Sequence, residues 1–160
     1  MAKSIMNTKL GLKFVEFMRG EGGKKIDKVL VRTTGFSLLM RVFSSMANFP
    51  PHPVLMLYTI GAKSGEKRST VMPYVRASGR LYLVGSNGAK ANDPAWVYNV
   101  MANPDVQIVI DRKKRSVKAR RVAADTPEYE AVWTEARALT PQYDTYQSQT
   151  TRQIPVVALE

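Results

Sequence analysis

Cysteine is absent from the 160 residues, histidine occurs once, and acidic residues are outnumbered 13 to 24 by lysine and arginine. Without thiols there is no disulfide, no thiolate metal site, no Cys-ligated iron–sulfur cluster and no Cys nucleophile. The one histidine, His52, sits among Pro50, Pro51 and Pro53. A multi-histidine metal site is thereby excluded, a Ser-His-Asp triad would have to be built on this residue, and a structural loop role is the expectation for it. No acidic pair stands in a hydrolase context, and neither a Gly-rich dinucleotide fingerprint nor a P-loop signature occurs. Hydrolysis and phosphoryl transfer lack machinery, so chemistry borrowed from a cofactor is the natural expectation. No apolar run approaches the roughly 18 to 20 residues of a membrane span. The lysine-dotted start also lacks the uninterrupted apolar stretch of a signal peptide, which makes a cytoplasmic address the expected one.

What is present is a chain of one-domain length with a terminal appendage, 44% hydrophobic and 23% charged, apolar enough to offset chain entropy. The net charge of +11 means attraction to polyanions: nucleic acid, an acidic membrane face or a phosphorylated ligand. Basic residues concentrate in the first third and in Arg112, Lys113, Lys114, Arg115, Lys118, Arg120 and Arg121, whereas the segment after Arg121 is net acidic.

Residues 1–48 read as a basic, amphipathic helical region, with Leu10, Phe14, Phe17 and Met18 on one helical face and Gly20, Gly22 and Gly23 as its first break. A second helical stretch from about Lys25 is interrupted near Gly35 and runs through Leu38, Leu39, Val42, Phe43 and Met46 until Asn48 and the prolines stop it. Residues 49–160 read as a second unit dominated by strands: Val54–Ile60, Ser69–Ala77, Arg80–Ser86, Val106–Ile110, Val117–Ala123 and Ile154–Leu159. Helices are expected from Pro94 to Ala102, with Pro in the first turn, and from Thr126 to about Leu139. About six hairpin-connected strands with helices at the start, middle and end give an α+β fold, mainly β, most economically a split or curled antiparallel barrel.

Three constellations could carry chemistry. The first is Gly61-Ala62-Lys63-Ser64-Gly65 with Arg68, a glycine-bearing turn whose amides and cations could approach an anion, or else an ordinary solvated hairpin turn. The second is Ser86-Asn87-Gly88-Ala89-Lys90 leading to Asp93-Pro94-Ala95-Trp96, where a helix start could face a phosphate or the polar edge of a flat heterocycle, the alternative being a plain connection with Trp96 in the core. The third is Tyr143 and Tyr146, three apart, which share a face if helical and could present two phenols as proton donors, or be amphipathic surface residues.

Taken in order, Leu57-Tyr58-Thr59-Ile60-Gly61-Ala62-Lys63-Ser64-Gly65, Arg68, Ser86-Asn87-Gly88, Asp93-Pro94-Ala95-Trp96-Val97-Tyr98-Asn99, Ala102-Asn103-Pro104, Tyr143-Asp144-Thr145-Tyr146-Gln147 and Arg152-Gln153-Ile154-Pro155-Val156-Val157 resemble the actinobacterial deazaflavin-dependent nitroreductase family. The resemblance runs from about Val54 to Leu159. It implies a split β-barrel that uses reduced coenzyme F420, an 8-hydroxy-5-deazaflavin, as hydride donor to a small organic acceptor: a quinone, an activated enone or lactone, or a nitroaromatic. By position, Lys63, Ser64, Gly65 and Arg68 look like anchors for the cofactor's phosphate and glutamate tail. Ser86, Asn87, Gly88 and Lys90 would line phosphate and ring, and Pro94, Ala95 and Trp96 would shape the pocket floor. Tyr143, Tyr146 and Ser86 match the residues expected at the reacting centre. Two departures stand on the acceptor side: Thr140 replaces a tyrosine of the best-known members, and Pro73 replaces a side chain able to face the acceptor.

Other readings are a flavin mononucleotide or haem-linked barrel and, below these, a basic nucleic-acid-binding barrel. The last is disfavoured because aromatics are not interleaved with the 112–121 run, and no nucleic acid is expected as partner. For the basic N-terminal helices, peripheral contact with an acidic membrane and cover for the barrel or for a second copy stand as equal alternatives. A monomer or a homodimer is expected.

Overall fold

The computed structural model describes residues 8–47 and 49–160. The helical reading of residues 1–7 and the stop at Asn48 lie outside those described residues. Thr8 opens the first helix, α1 (Lys9–Arg19), its hydroxyl accepting from Gly11 N at 3.1 Å. Only Gly20 separates α1 from α2 (Glu21–Thr34), so of the three expected helix-breaking glycines, Gly22 and Gly23 are helical instead. The reason for Gly23 is close approach: a Cβ there would stand 2.3 Å from Met18 Cα and 2.5 Å from Phe17 O, both backbone atoms. Gly23→Ala is therefore expected to push α1 off α2 at a cost of roughly 1–3 kcal/mol. Amide hydrogen exchange should show it as faster exchange over residues 9–19 with the barrel strands unchanged.

A third helix, α3 (Leu38–Ala47), is pinned to α2 by one buried carboxylate. Asp27, 1% exposed, accepts from Ser37 Oγ and from Leu39 N, each at 2.9 Å, while Ser37 Oγ accepts from Met40 N at 2.9 Å.

The strands are β1 (Val54–Ile60), β2 (Lys67–Pro73), β3 (Val75–Ala77), β4 (Arg80–Val84), β5 (Asp105–Ile110), β6 (Lys113–Val122) and β7 (Val156–Leu159). They form one sheet in the order β2-β1-β5-β6-β7-β4-β3, with every pairing antiparallel. Long β6 pairs with β5 through Lys113–Lys118 and with β7 through Ala119–Val122, passing from one half of the sheet to the other. The end strands β2 and β3 are separated only by Tyr74, whose N–H turns away to Pro53 O at 3.1 Å. The result is an α+β split barrel with seven strands. The extra strand arises because the expected Ser69–Ala77 run divides at Tyr74, its first part pairing with β1 and Val75–Ala77 with β4.

A second difference concerns the basic run. Asp111 and Arg112, at φ +49° and +64°, make a two-residue hairpin turn, so β6 begins at Lys113 rather than Val117. The basic residues Lys113 to Arg115 are thus paired strand residues with exposed side chains. Their solvated charge hides the period-two pattern that marks a strand.

Helices α4 (Ala95–Ala102), α5 (Pro127–Leu139) and α6 (Gln142–Ser148) complete the fold, with Pro94 as the residue before α4 rather than in its first turn. Leu55, Leu57, Leu83, Ile108 and Val157 fill the barrel. Tyr129, Val132, Trp133 and Ala136 of α5 pack on Val75, Tyr82, Val84 and Val156. Val31 of α2 meets Val54, Met56 and Val109 on β1 and β5, seating the helical layer on the sheet.

A polar clasp ties α5 to the sheet. Arg120 on β6 bonds Glu128 at 2.8 Å and Glu160 at 2.7 Å, and Tyr82 Oη donates to Glu128 Oε1 at 3.0 Å. The Arg120 hydrogen bond holds the Glu128 carboxyl below its ordinary value of 4.5. A depressed carboxylate adds stability that is complete above the ordinary range and is lost as pH falls through the lowered value. Glu128→Gln should accordingly lose about 1 kcal/mol at pH 7. Thermal melts of both proteins should converge as the pH drops below 4.5.

Candidate functional site

Two concave surfaces flank the segment from Ser86 to Trp96. The larger is an open groove of about 1250 Å³ between the β1–β2 turn, the start of α4 and α2. The turn is closed by Gly61 N–H to Glu66 O and Gly65 N–H to Gly61 O, both 2.8 Å. Asn99 of α4 accepts from Ala62 N at 2.9 Å and donates to Thr59 Oγ1 at 3.2 Å, which fixes turn and helix to each other. A Cβ on Gly61 would lie 2.6 Å from Ser64 Oγ, so the bare backbone lets that hydroxyl tuck against the turn and a side chain there would make it rotate away. The N–H groups of Lys63 and Ser64 make no hydrogen bond among the described residues. They and the first amides of α4 are left for a ligand.

Charge in the groove has one sign. Lys28, Lys63, Lys67 and Arg68 line it, against the single carboxylate of Asp93. Asp93 is already neutralised by Arg152 at 2.8 Å and Arg121 at 3.4 Å. Arg68 reaches Glu66 at 2.6 Å, but the pair is solvent-exposed and readily exchanged for another anion.

The second cavity, about 400 Å³, lies between the barrel and the helical layer. Met40, Phe43, Phe49 and Pro73 give it apolar walls, and Ser86, Thr140, Tyr143 and Tyr146 bring hydroxyls to it. Burial, then the neighbouring Tyr146, pushes the Tyr143 phenol up to about 12, so it stays protonated at neutral pH. Neither the Tyr143 nor the Tyr146 hydroxyl has a hydrogen-bond partner among the described residues. His52, 8% exposed, also borders the cavity, edge-on to Phe49 at 4.9 Å, with neither ring nitrogen partnered. Burial lowers its pKa, leaving a neutral imidazole.

With that geometry in view, the sequence profile described as F420H(2)-dependent quinone reductase matches residues 40–160. The chain belongs to this family. Among its relatives is the F420H(2)-dependent quinone reductase Rv1261c of Mycobacterium tuberculosis strain H37Rv, 38% identical over 108 residues, which are 67% of this chain and 72% of the relative. The solved F420-H2 dependent reductase FDR-A is 36% identical, superposes with a TM-score of 0.60, and covers 68% of this chain and 94% of its own. A solved relative described as a domain-swapped dimer is 31% identical, with a TM-score of 0.63, covering 86% of this chain and 96% of its own.

Of the residues singled out from sequence, Lys63, Ser64, Arg68, Ala95 and Trp96 line the groove, and Ser86, Tyr143 and Tyr146 line the second cavity. Gly65, Asn87, Gly88, Lys90 and Pro94 line neither. Gly65 closes the β1–β2 turn, and Asn87 Nδ2 donates to Asn92 O at 2.9 Å. Gly88 and Lys90 are exposed, and Pro94 precedes α4. Both departures from the family pattern, Thr140 and Pro73, border the second cavity. Sequence reasoning assigned no role to Asn99, Lys28 or Arg152. Arg152 is 14% exposed and donates to Lys90 O (2.9 Å), Gly85 O (3.1 Å) and Ser86 O (2.7 Å) besides pairing with Asp93. Its partners lie 59 to 67 residues away in sequence, so the motif that contains it does not disclose its role.

Proposed function

We propose that this protein binds coenzyme F420 along the cationic groove and reduces a small carbonyl compound, a quinone first, in the second cavity. The observation that carries this reading is the pairing of a cation-lined groove with a phenol-bearing, largely apolar cavity, edged by one cation, Arg19, on either side of one segment, Ser86 to Trp96. The residues fit the group: the Gly61 turn leaves a bare-backbone cradle with two unused amides, and four cations complement a phosphate and glutamate tail.

Reduced F420, when bound, supplies a hydride from its deazaflavin ring. The chain's own residues do the rest. Lys63, Ser64, Gly65 and Arg68 hold the anionic portion through charge and turn amides. Ala95 and Trp96 shape the floor of the groove, while Asn87, Gly88, Lys90 and Pro94, which line neither cavity, belong to the segment that carries Ser86 to the acceptor side. Tyr143 keeps its proton and, with Tyr146 and Ser86, donates hydrogen bonds to an acceptor oxygen as negative charge develops on it. Met40, Phe43 and Phe49 exclude water. The helices α1 to α3, the described part of the 1–48 region, then act as a cover over the 49–160 barrel unit, and enone and nitroaromatic acceptors are alternatives for the same cavity.

A location at the cytoplasmic face of a membrane is part of this proposal. Among the described residues no helix is long and apolar enough to cross a membrane. Leu10, Leu12, Phe17, Ile26 and Val29 are nonetheless exposed beside Lys9, Lys13, Lys24 and Lys25, a composition suited to an acidic lipid surface. The domain-swapped relative supports a homodimer over a monomer.

Fluorescence titration with oxidised F420 and with flavin mononucleotide tests the cofactor, and oxidation of F420H2 with menadione or cyclohexenone tests the acceptor. Tight F420 binding with menadione turnover is expected. Preference for flavin mononucleotide, or no F420 binding, overturns the proposal.

A further inference from the structure

The helical layer touches both cavities. Arg19 of α1 and Met40 and Phe43 of α3 border the smaller one, whereas Lys28 of α2 borders the cationic groove. Lys28 lies outside the 40–160 segment matched by the family profile, and no motif picked it out. It is partly buried and makes no ion pair or hydrogen bond among the described residues, so its ammonium is uncompensated at the edge of a groove with three other cations. Its position is not left to chance. The residue before it, Asp27, is locked under α3 by two hydrogen bonds of 2.9 Å, and Val31 three residues later is buried against β1 and β5. A buried register on both sides holds this stretch of α2, and Lys28 with it, over the groove.

Four like charges facing one space repel, and an anion relieves that repulsion most when it bridges them. Three of the four come from the β1–β2 hairpin, and the fourth comes from a separate layer of the fold. We propose that Lys28 is a cofactor-tail residue through which bound F420 clamps the N-terminal helices onto the barrel, linking occupancy of the groove to closure of the acceptor cavity. This rests on the reading of the groove as the F420 site. The clamp acts through the anionic tail, not the ring, because a lysine ammonium at the groove's edge pairs with charge.

The test compares oxidised F420 carrying its phosphate and glutamates with the same deazaflavin chromophore lacking both, using the full chain. Lys28→Ala should weaken F420 binding about five- to tenfold, more at low salt than at high, and change binding of the tail-less chromophore less than twofold. Lys28→Arg should keep most of the affinity, and Lys28→Glu should lose more than alanine does. In limited proteolysis, F420 should protect residues 9–47 of the wild-type protein, the tail-less chromophore should not, and Lys28→Ala should lose the protection. Unchanged melting temperature separates these effects from misfolding, since Lys28 forms no bond whose loss would unfold the chain. Equal F420 affinity in wild type and Lys28→Ala, or equal protection by both ligands, overturns the clamp. If F420 binds and depends on Lys63 and Arg68 but not on Lys28, only this inference falls. If the wild-type protein binds no F420, the groove assignment falls and the clamp falls with it.

Discussion

Exchanging Lys63 and Arg68 together for alanine will weaken binding of oxidised F420 by roughly 100-fold while leaving the fold intact. Each is expected to make a charge-assisted contact, worth about 1.5–3 kcal/mol when shielded and less in a groove open to water. Two contacts at the low end of that range sum to about 3 kcal/mol, or two powers of ten. Stability should hardly move, because the one pair broken, Arg68 with Glu66, has side chains 55% and 65% exposed. Titrations at two ionic strengths provide a second check. The double variant should show a shallower loss of affinity with salt than the wild type, since fewer cations remain to be screened. An affinity within threefold of wild type, with melting unchanged, would place the cofactor's anionic portion elsewhere.

The fold was legible where local chemistry dominates. Val54–Ile60 is a mostly apolar run with β-branched residues at its ends and became β1, and Thr126-Pro127 with Glu128 announced α5. What the sequence hid were features that depend on distant partners. Gly22 and Gly23 look like helix breakers until Met18 is found pressed against Gly23. The 113–116 run looks like a charged turn until its pairing with β5 is seen, because a strand with solvent on its side chains carries no alternating pattern. The site divides in the same way. The turn cations and the two tyrosines were readable as motifs, and they do border the two cavities. Lys28 lay in no motif, His52 read only as a loop residue and Asn99 stood in a motif without a role, because nothing in the residues around them says which cavity wall they join.

Arg152 is the extreme case of a residue quoted in a motif whose role stayed hidden, and Arg152→Ala is the substitution expected to damage the protein most. The guanidinium is 14% exposed and fastens three backbone carbonyls and the Asp93 carboxylate. Removing it leaves Asp93, itself 13% exposed, with only Arg121 at 3.4 Å, and strips partly buried carbonyls of their donor. Breaking a buried, hydrogen-bonded pair of this kind costs about 3–5 kcal/mol. In a domain of this size each kcal/mol lowers the melting temperature by roughly 2–4 °C, so a drop on the order of 10 °C is expected. Function should suffer on both sides at once, because the held segment gives Ser86 to one cavity and Asp93, Ala95 and Trp96 to the other. F420 affinity should fall and the KM for menadione should rise together, whereas loss of Lys63 and Arg68 should leave the KM near its original value once cofactor is saturating. Arg152→Lys keeps the charge beside Asp93 but cannot fork to three carbonyls, so it should fall between alanine and wild type. Hydrogen exchange localises the effect: amides of residues 86–93 should lose protection first. A variant that melts within 2 °C of wild type, a shift of at most about 1 kcal/mol, and binds F420 normally would show that the segment is positioned by the strands on either side of it and not by this arginine.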